Sequence, residues 1–203
     1  MCGITNLEDA LAAIDAGANA LGFVFHEKSP RYVTLKAAQE IVRELPPEIT
    51  TVGVFLNEQP ERIEEIAGSV GLAAVQLHGT EHKWAGWART KREVFVAVPP
   101  DELLRSIADT PSDRVKAIFM DASNGKGKPF PWSEALTSVQ AAQQLFPVVI
   151  AGGLTQENVA EMMSILNPWG VDVSSGVERG PGKKDPQKVK AFVNAVRQAD
   201  GER

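Results

Sequence analysis

The sequence predicts one (β/α)8 barrel, a TIM barrel, formed by a single domain over residues 1–203 with a shortened first strand. Three observations predict it. Short apolar runs alternate with amphipathic runs from one end of the chain to the other. The apolar runs are nearly continuous rather than alternating, as strands of a parallel sheet covered by helices require. The last two runs, Ile150-Ala151-Gly152-Gly153-Leu154 and Val171-Asp172-Val173-Ser174-Ser175-Gly176-Val177-Glu178, end in small residues just before new helical patterns. In this fold the last two strand-to-helix loops commonly build a phosphate pocket.

The elements follow in order. A stub at residues 1–3 is the first stave. Only Met1 precedes Cys2, so either the start is assigned too late or the barrel closes on a shortened strand. The other strands are expected at 20–25, 51–55, 73–77, 94–98, 116–121, 147–151 and 170–174. Between them, helical spacing groups Leu7, Leu11 and Ile14; Leu35, Ala38, Ile41, Val42 and Leu45; Ile63, Ile66, Ala67 and Val70; and Val189, Phe192, Val193 and Val196. Thr5-Asn6-Leu7-Glu8 fits a capping box, Pro46-Pro47 stops the second helix, and Pro186 suits the first turn of the last. The stretch 80–90, with Trp84 and Trp87 in a polar run, is a less regular helix on the barrel exterior. Eight units in 203 residues is compact against the roughly 250 typical of the fold. An open doubly wound sheet is the alternative, with fewer strands.

Hydrophobic content is 43% and charged content 23%, with a net charge of −5. That balance argues against a nucleic-acid or anionic-membrane partner, which calls for a basic patch. A phosphate must therefore be gripped locally, by backbone amides and a few cations. The single cysteine allows no internal disulfide and suits a reducing compartment. With no run approaching a membrane span and no signal peptide, a cytoplasmic location is expected.

Chemistry in a barrel belongs at the C-terminal ends of its strands. Cys2 ends the first, at the expected start of a helix whose dipole would favour the thiolate, which suits a general base. The alternative is a small buried apolar residue. Asp121 ends an apolar strand, where lost hydration favours a protonated carboxyl and general acid work; the alternative is a loop cap. Arg31 carries a fork suited to a carboxylate or phosphate, unless it is only a solvated loop arginine. His78 is a candidate to position substrate, or a structural histidine. Asp172 is unusual in an apolar strand and, if inward, meets substrate. Gly152, Gly153, Ser174, Ser175 and Gly176 are the phosphate candidates. The loop Asn124-Gly125-Lys126-Gly127-Lys128 is a lid candidate, or simply a mobile surface loop. The sequence carries no metal-ligand cluster and no dinucleotide or Walker motif, so no metal and no cofactor are expected.

In this order Cys2-Gly3-Ile4-Thr5, Gly22-Phe23-Val24-Phe25, Ser29-Pro30-Arg31-Tyr32, Val52-Gly53-Val54-Phe55, Val75-Gln76-Leu77-His78-Gly79, Ala151-Gly152-Gly153-Leu154 with Asn158-Val159, the Val171–Glu178 motif and Pro181-Gly182-Lys183-Lys184-Asp185 resemble the phosphoribosylanthranilate isomerases of tryptophan biosynthesis. The resemblance covers essentially the whole chain. It implies an Amadori rearrangement of N-(5-phosphoribosyl)anthranilate to 1-(o-carboxyphenylamino)-1-deoxyribulose 5-phosphate. It places the family's general base on Cys2, its general acid on Asp121 and its anthranilate-carboxylate arginine on Arg31. The implied partner is a small phosphorylated substrate, and the protein is a monomer or homodimer. Three positions depart from the family pattern: the missing Lys-Ile-type residues before Cys2, Lys126 in place of a hydroxyl residue, and Pro131 in place of an aspartate. The histidine-pathway ribonucleotide isomerase would need an aspartate at Cys2, and indole-glycerol-phosphate synthase a catalytic lysine on an early strand. A non-catalytic sensor would bind phosphate ligands without turnover.

Overall fold

Seven strands form one parallel sheet in strict chain order: β1 Ala20–Val24, β2 Thr50–Leu56, β3 Ala74–His78, β4 Glu93–Val98, β5 Val115–Asp121, β6 Val148–Ala151 and β7 Gly170–Val171. The structure is a computed structural model and describes residues 1–78, 92–110, 113, 115–123 and 131–201. The expected helix at 80–90 and the lid candidate at 124–128 lie outside the described residues. Helices α1 Leu7–Ala16, α2 Leu35–Arg43, α3 Pro60–Val70, α4 Leu103–Asp109, α5 Trp132–Gln143, α6 Val159–Leu166 and α7 Pro186–Gly201 cover the sheet. None of the described helices is long and apolar enough to cross a membrane.

The stub joins the two sheet edges. The Met1 carbonyl accepts from Gly22 N–H at 2.8 Å, and Gly3 N–H donates to the Gly22 carbonyl at 3.0 Å. On its other side Cys2 N–H donates to the Val173 carbonyl at 2.9 Å, just past β7. The circuit thus closes through the shortened stave.

Burial on both faces explains the continuous apolar runs. Outward side chains such as Leu21, Phe23, Val75, Leu77, Ile118 and Ile150 pack under the helices. Inward ones, Val52, Ala74, Phe95, Ala117 and Val149, fill the barrel itself, where Phe95 and Phe119 approach to 5.5 Å between ring centres. The strand period of two carries this inward parity to the C-terminal ends.

Three local readings need correction. The cap of α1 is Asn6, not Thr5: its Oδ1 accepts from Asp9 N–H at 2.8 Å, and its Nδ2 donates to Asp9 Oδ2 at 2.8 Å. The buried face of α1 is Asp9, Ala10 and Ala13, while Leu11 is 40% exposed. Leu7 and Ile14 pack against the same core from its edge, and only Leu11 of that stripe lies outside it. The last strand stops at Val171 rather than reaching 174, so Asp172 lies just beyond it, although its N–H still donates to the Ile150 carbonyl at 2.9 Å. The proline readings hold: α2 ends before Pro46, and Pro186 opens α7, with Asp185 Oδ1 accepting from Gln187 N–H at 2.9 Å. Pro131 caps α5 without a side-chain hydrogen bond, since it has no acceptor to offer.

Candidate active site

Parity places the candidate groups on the lumen side. In β3, Ala74 points inward, so Gln76 and His78 do too; in β5, Ala117 and Phe119 lead to Asp121. Val171 and Val173 pack outward, so Asp172 and Ser174 face in. Ile4 packs outward and Cys2 inward, with its Sγ against Gly22, where a Cβ would come within 3.1 Å. A side chain at position 22 would therefore displace the thiol.

These groups share one electrostatic neighbourhood. Loss of hydration pushes the Cys2 thiol up from 9.0 to about 12, and the Asp172 carboxylate adds to the rise. The N-terminal amine, Lys184 and a hydrogen bond from the Gly3 backbone oppose it without prevailing. This corrects the expectation of a dipole-favoured thiolate. The helix starts at Leu7, five residues downstream, and a macrodipole fades beyond its first turn. Asp172 lies 3.4 Å from the terminal amine. Burial lowers the His78 pKa, with Asp121 and Asp172 pulling the other way. His78 thus lies within the fields of both carboxylates, one of which also acts on Cys2.

The neutral form of His78 fits its hydrogen bond. Gln76 Nε2 sits 3.1 Å from His78 Nε2, a contact that needs an unprotonated ring nitrogen as acceptor. A folded-state pKa below the ordinary value adds stability above that value, and this stability is lost as pH falls through the folded value. The His78→Gln variant is therefore expected to lose less stability than the parent between pH 7 and pH 5. Denaturant titrations at the two pH values check this, and equal losses would contradict it.

Asp121 Oδ1 accepts from Ser123 N–H at 2.8 Å and from Ser123 Oγ at 2.5 Å, which leaves Oδ2 for a ligand. Gly152, at φ +85°, presses so closely on Asp121 and the Ala122–Ser123 backbone that a Cβ would overlap them. Gly153, at φ +70°, faces open space. Its carbonyl accepts from Asn158 Nδ2 at 3.0 Å, which fixes the turn. A Cβ on Gly176 would run into the Leu154 carbonyl. The two glycine motifs are therefore in contact with one another, and the first of them is in contact with Asp121. Ser175 opens a turn of 3-10 helix, Ser175–Val177, and is exposed, while Ser174 Oγ is buried without a hydrogen-bond partner among the described residues.

Arg31 is engaged from within. Its Nε and Nη2 donate to the two oxygens of Glu178, both at 2.8 Å. Glu178 Oε1 also accepts from Lys184 Nζ at 3.0 Å. Burial works against the Glu178 carboxylate, but the Arg31 hydrogen bonds and the Lys184 charge outweigh it and hold its pKa below the ordinary value. The same pair raises the Arg31 pKa. Two of five guanidinium N–H groups are thus committed, and the rest have no partner among the described residues and can meet an anion. Glu178 and Lys184 were not among the expected site residues. Their charges stand within otherwise small-residue motifs, but nothing local in the sequence pairs them with Arg31 or Cys2.

A family model described as N-(5'phosphoribosyl)anthranilate (PRA) isomerase matches residues 1–195. The N-(5'-phosphoribosyl)anthranilate isomerase of Pelobacter propionicus is 45% identical, covering 100% of this chain and 96% of its own. That of Citrifermentans bemidjiense is 44% identical, covering 95% and 93%. The crystal structure of the Thermotoga maritima enzyme superposes with a TM-score of 0.87 at 40% identity, covering 98% and 97%. A phosphoribosyl anthranilate isomerase solved with reduced 1-(o-carboxyphenylamino)-1-deoxyribulose 5-phosphate gives a TM-score of 0.85 at 39% identity, covering 97% and 96%.

Proposed function

The chain belongs to the N-(5'-phosphoribosyl)anthranilate isomerase family and is an isomerase of tryptophan biosynthesis, and from that premise we propose that Cys2 is its general base and Asp121 its general acid. The observation that supports this assignment is the shared inward parity of Cys2, His78, Asp121 and Asp172 at one end of the barrel, beside two glycine loops in mutual contact.

The substrate is N-(5'-phosphoribosyl)anthranilate. Its phosphate seats on the backbone of Gly152, Gly153, Ser174, Ser175 and Gly176, and its anthranilate carboxylate meets the free face of the Arg31 fork. His78 and Asp172 line the cavity between. Asp121 donates a proton from Oδ2 to the ribose ring oxygen while Ser123 holds Oδ1. The C1–O bond breaks, and the anthranilate nitrogen supplies the electrons that leave C1 as a cationic iminium. That charge favours the thiolate of a cysteine otherwise held protonated, its thiol proton passing to bulk water. Cys2 then removes the C2 proton, and the resulting enolamine tautomerises to the ketone, 1-(o-carboxyphenylamino)-1-deoxyribulose 5-phosphate. Phosphate contacts remote from the reacting carbon hold it against the thiol. The chain works as a monomer or homodimer, without a cofactor.

The test follows the fluorescence of N-(5'-phosphoribosyl)anthranilate with purified protein. Enzyme-dependent loss of the signal is expected, and loss at the background rate would overturn the assignment. Arg31→Ala is expected to raise KM about tenfold or more with a smaller change in kcat, since a charged hydrogen bond is worth about 1.5–3 kcal/mol. Steady-state kinetics check it, and unchanged constants would remove Arg31 from the site.

A further inference from the structure

With Cys2 as base, one wholly buried cation has no part in the chemistry. Lys184 is 0% exposed. Its Nζ donates to the Cys2 carbonyl at 2.7 Å, to the Ser174 carbonyl at 3.2 Å and to Glu178 Oε1 at 3.0 Å. Three acceptors use all three N–H groups of an ammonium. The first belongs to the residue bearing the thiol. The second belongs to the loop assigned to phosphate. The third is the carboxylate that holds the Arg31 fork.

The fold invests in this placement. Lys184 sits on β9 (Lys183–Lys184), paired with β8 (Glu178–Gly180) in a small hairpin after the barrel's last strand. Lys184 N–H donates to Asp9 Oδ2 at 2.8 Å, Thr5 Oγ1 to the Gly182 carbonyl at 2.5 Å, and Asp185 N–H to the Val177 carbonyl at 2.8 Å. Well-packed apolar residues often replace a buried ion network at no cost to stability, so stability alone does not call for an ammonium here.

We propose that Lys184 is a positioning residue for the isomerisation: one ammonium clamps the Cys2 backbone, the phosphate loop and the Arg31–Glu178 pair into a single register. The proposal rests on the assignment of Cys2 as base. Arg31, Glu178 and Lys184 together carry one excess positive charge. The charged groups acting on Cys2 are Lys184, Arg31 and the terminal amine on one side and Asp172 on the other. Loss of the Lys184 charge therefore makes the thiol harder to ionise, besides loosening its placement.

The test compares Lys184→Gln and Lys184→Met with the parent for kcat, KM and the pH midpoint of Cys2 alkylation by iodoacetamide, with circular dichroism to confirm folding. Lys184→Gln is expected to lower kcat about tenfold to a hundredfold, since small misplacements cost that much, with KM changed less than about threefold. Its alkylation midpoint is expected to move up. Lys184→Met, which donates no hydrogen bond, is expected to fall further in kcat. A folded Lys184→Gln with parental kcat and midpoint would overturn the proposal. If neither variant folds, Glu178→Gln decides. It weakens both the Lys184 contact and the hold on the Arg31 fork, so kcat is expected to fall about tenfold, and a folded variant with parental kcat overturns the proposal. An active Cys2→Ala would instead overturn the base assignment, so the two failures are separable.

Discussion

Replacing Cys2 with alanine is expected to lower kcat by about 10²–10⁴-fold, the usual worth of a positioned proton-transfer group. The fold should survive, because the hydrogen bonds that hold the stub in the barrel come from backbone atoms: Met1 and Gly3 to Gly22, and Cys2 N–H to Val173. The Lys184 contact is likewise to the Cys2 carbonyl. Lost hydration pushes the Cys2 thiol far above neutral pH, up to about 12. A raised folded-state pKa means that the half-buried thiol adds stability below the ordinary value of 9.0, and that this is lost as pH climbs towards 12. The parent should therefore lose more stability than Cys2→Ala across that window. Chemical denaturation at pH 8 and pH 10.5 checks the sign, and fluorescence turnover checks the chemistry. Parental kcat in Cys2→Ala would remove the base role.

Asp121→Asn is expected to cost a similar factor, about 10²–10⁴ in kcat, with binding largely kept. An asparagine Oδ1 can still accept both Ser123 hydrogen bonds, so the loop geometry beside Gly152 is retained. What is lost is the proton for the ring oxygen. The C1–O bond must then break without a general acid, and the iminium that favours the Cys2 thiolate forms rarely. KM within about threefold of the parent and a normal melting temperature would localise the defect to chemistry. An Asp121→Asn enzyme with normal kcat would show that the ring opens without this carboxyl.

The strands were legible because burial on both faces leaves little room for polar residues. Runs such as 94–98 and 147–151 therefore stand out from their flanks. Inward parity followed from that placement and carried His78 and Asp121 to the same end of the barrel. Helix faces were less legible where packing was close. Leu7, Leu11 and Ile14 share one helical stripe, and Leu7 and Ile14 do pack against the core, but Leu11 is exposed and Ala10 and Ala13 are the fully buried pair. The cap slipped by one residue because Thr5 and Asn6 both suit that role, and Thr5 is taken by the Gly182 carbonyl instead. The ion network was illegible for a stronger reason. Arg31 meets Glu178 across 147 residues, and Lys184 meets Cys2 across 182, so no local periodicity reports either contact. The state of the thiol is not legible from its place in the sequence, because desolvation outweighs a helix that starts five residues downstream.

Protection of Cys2 from iodoacetamide tests most directly whether the thiol faces the substrate cavity. The protein would be alkylated at alkaline pH with and without reduced 1-(o-carboxyphenylamino)-1-deoxyribulose 5-phosphate, with turnover measured on the same samples. The predicted result is modification that abolishes turnover in proportion to its extent and is blocked by the analogue. Full turnover by alkylated protein, or alkylation unaffected by saturating analogue, would contradict it.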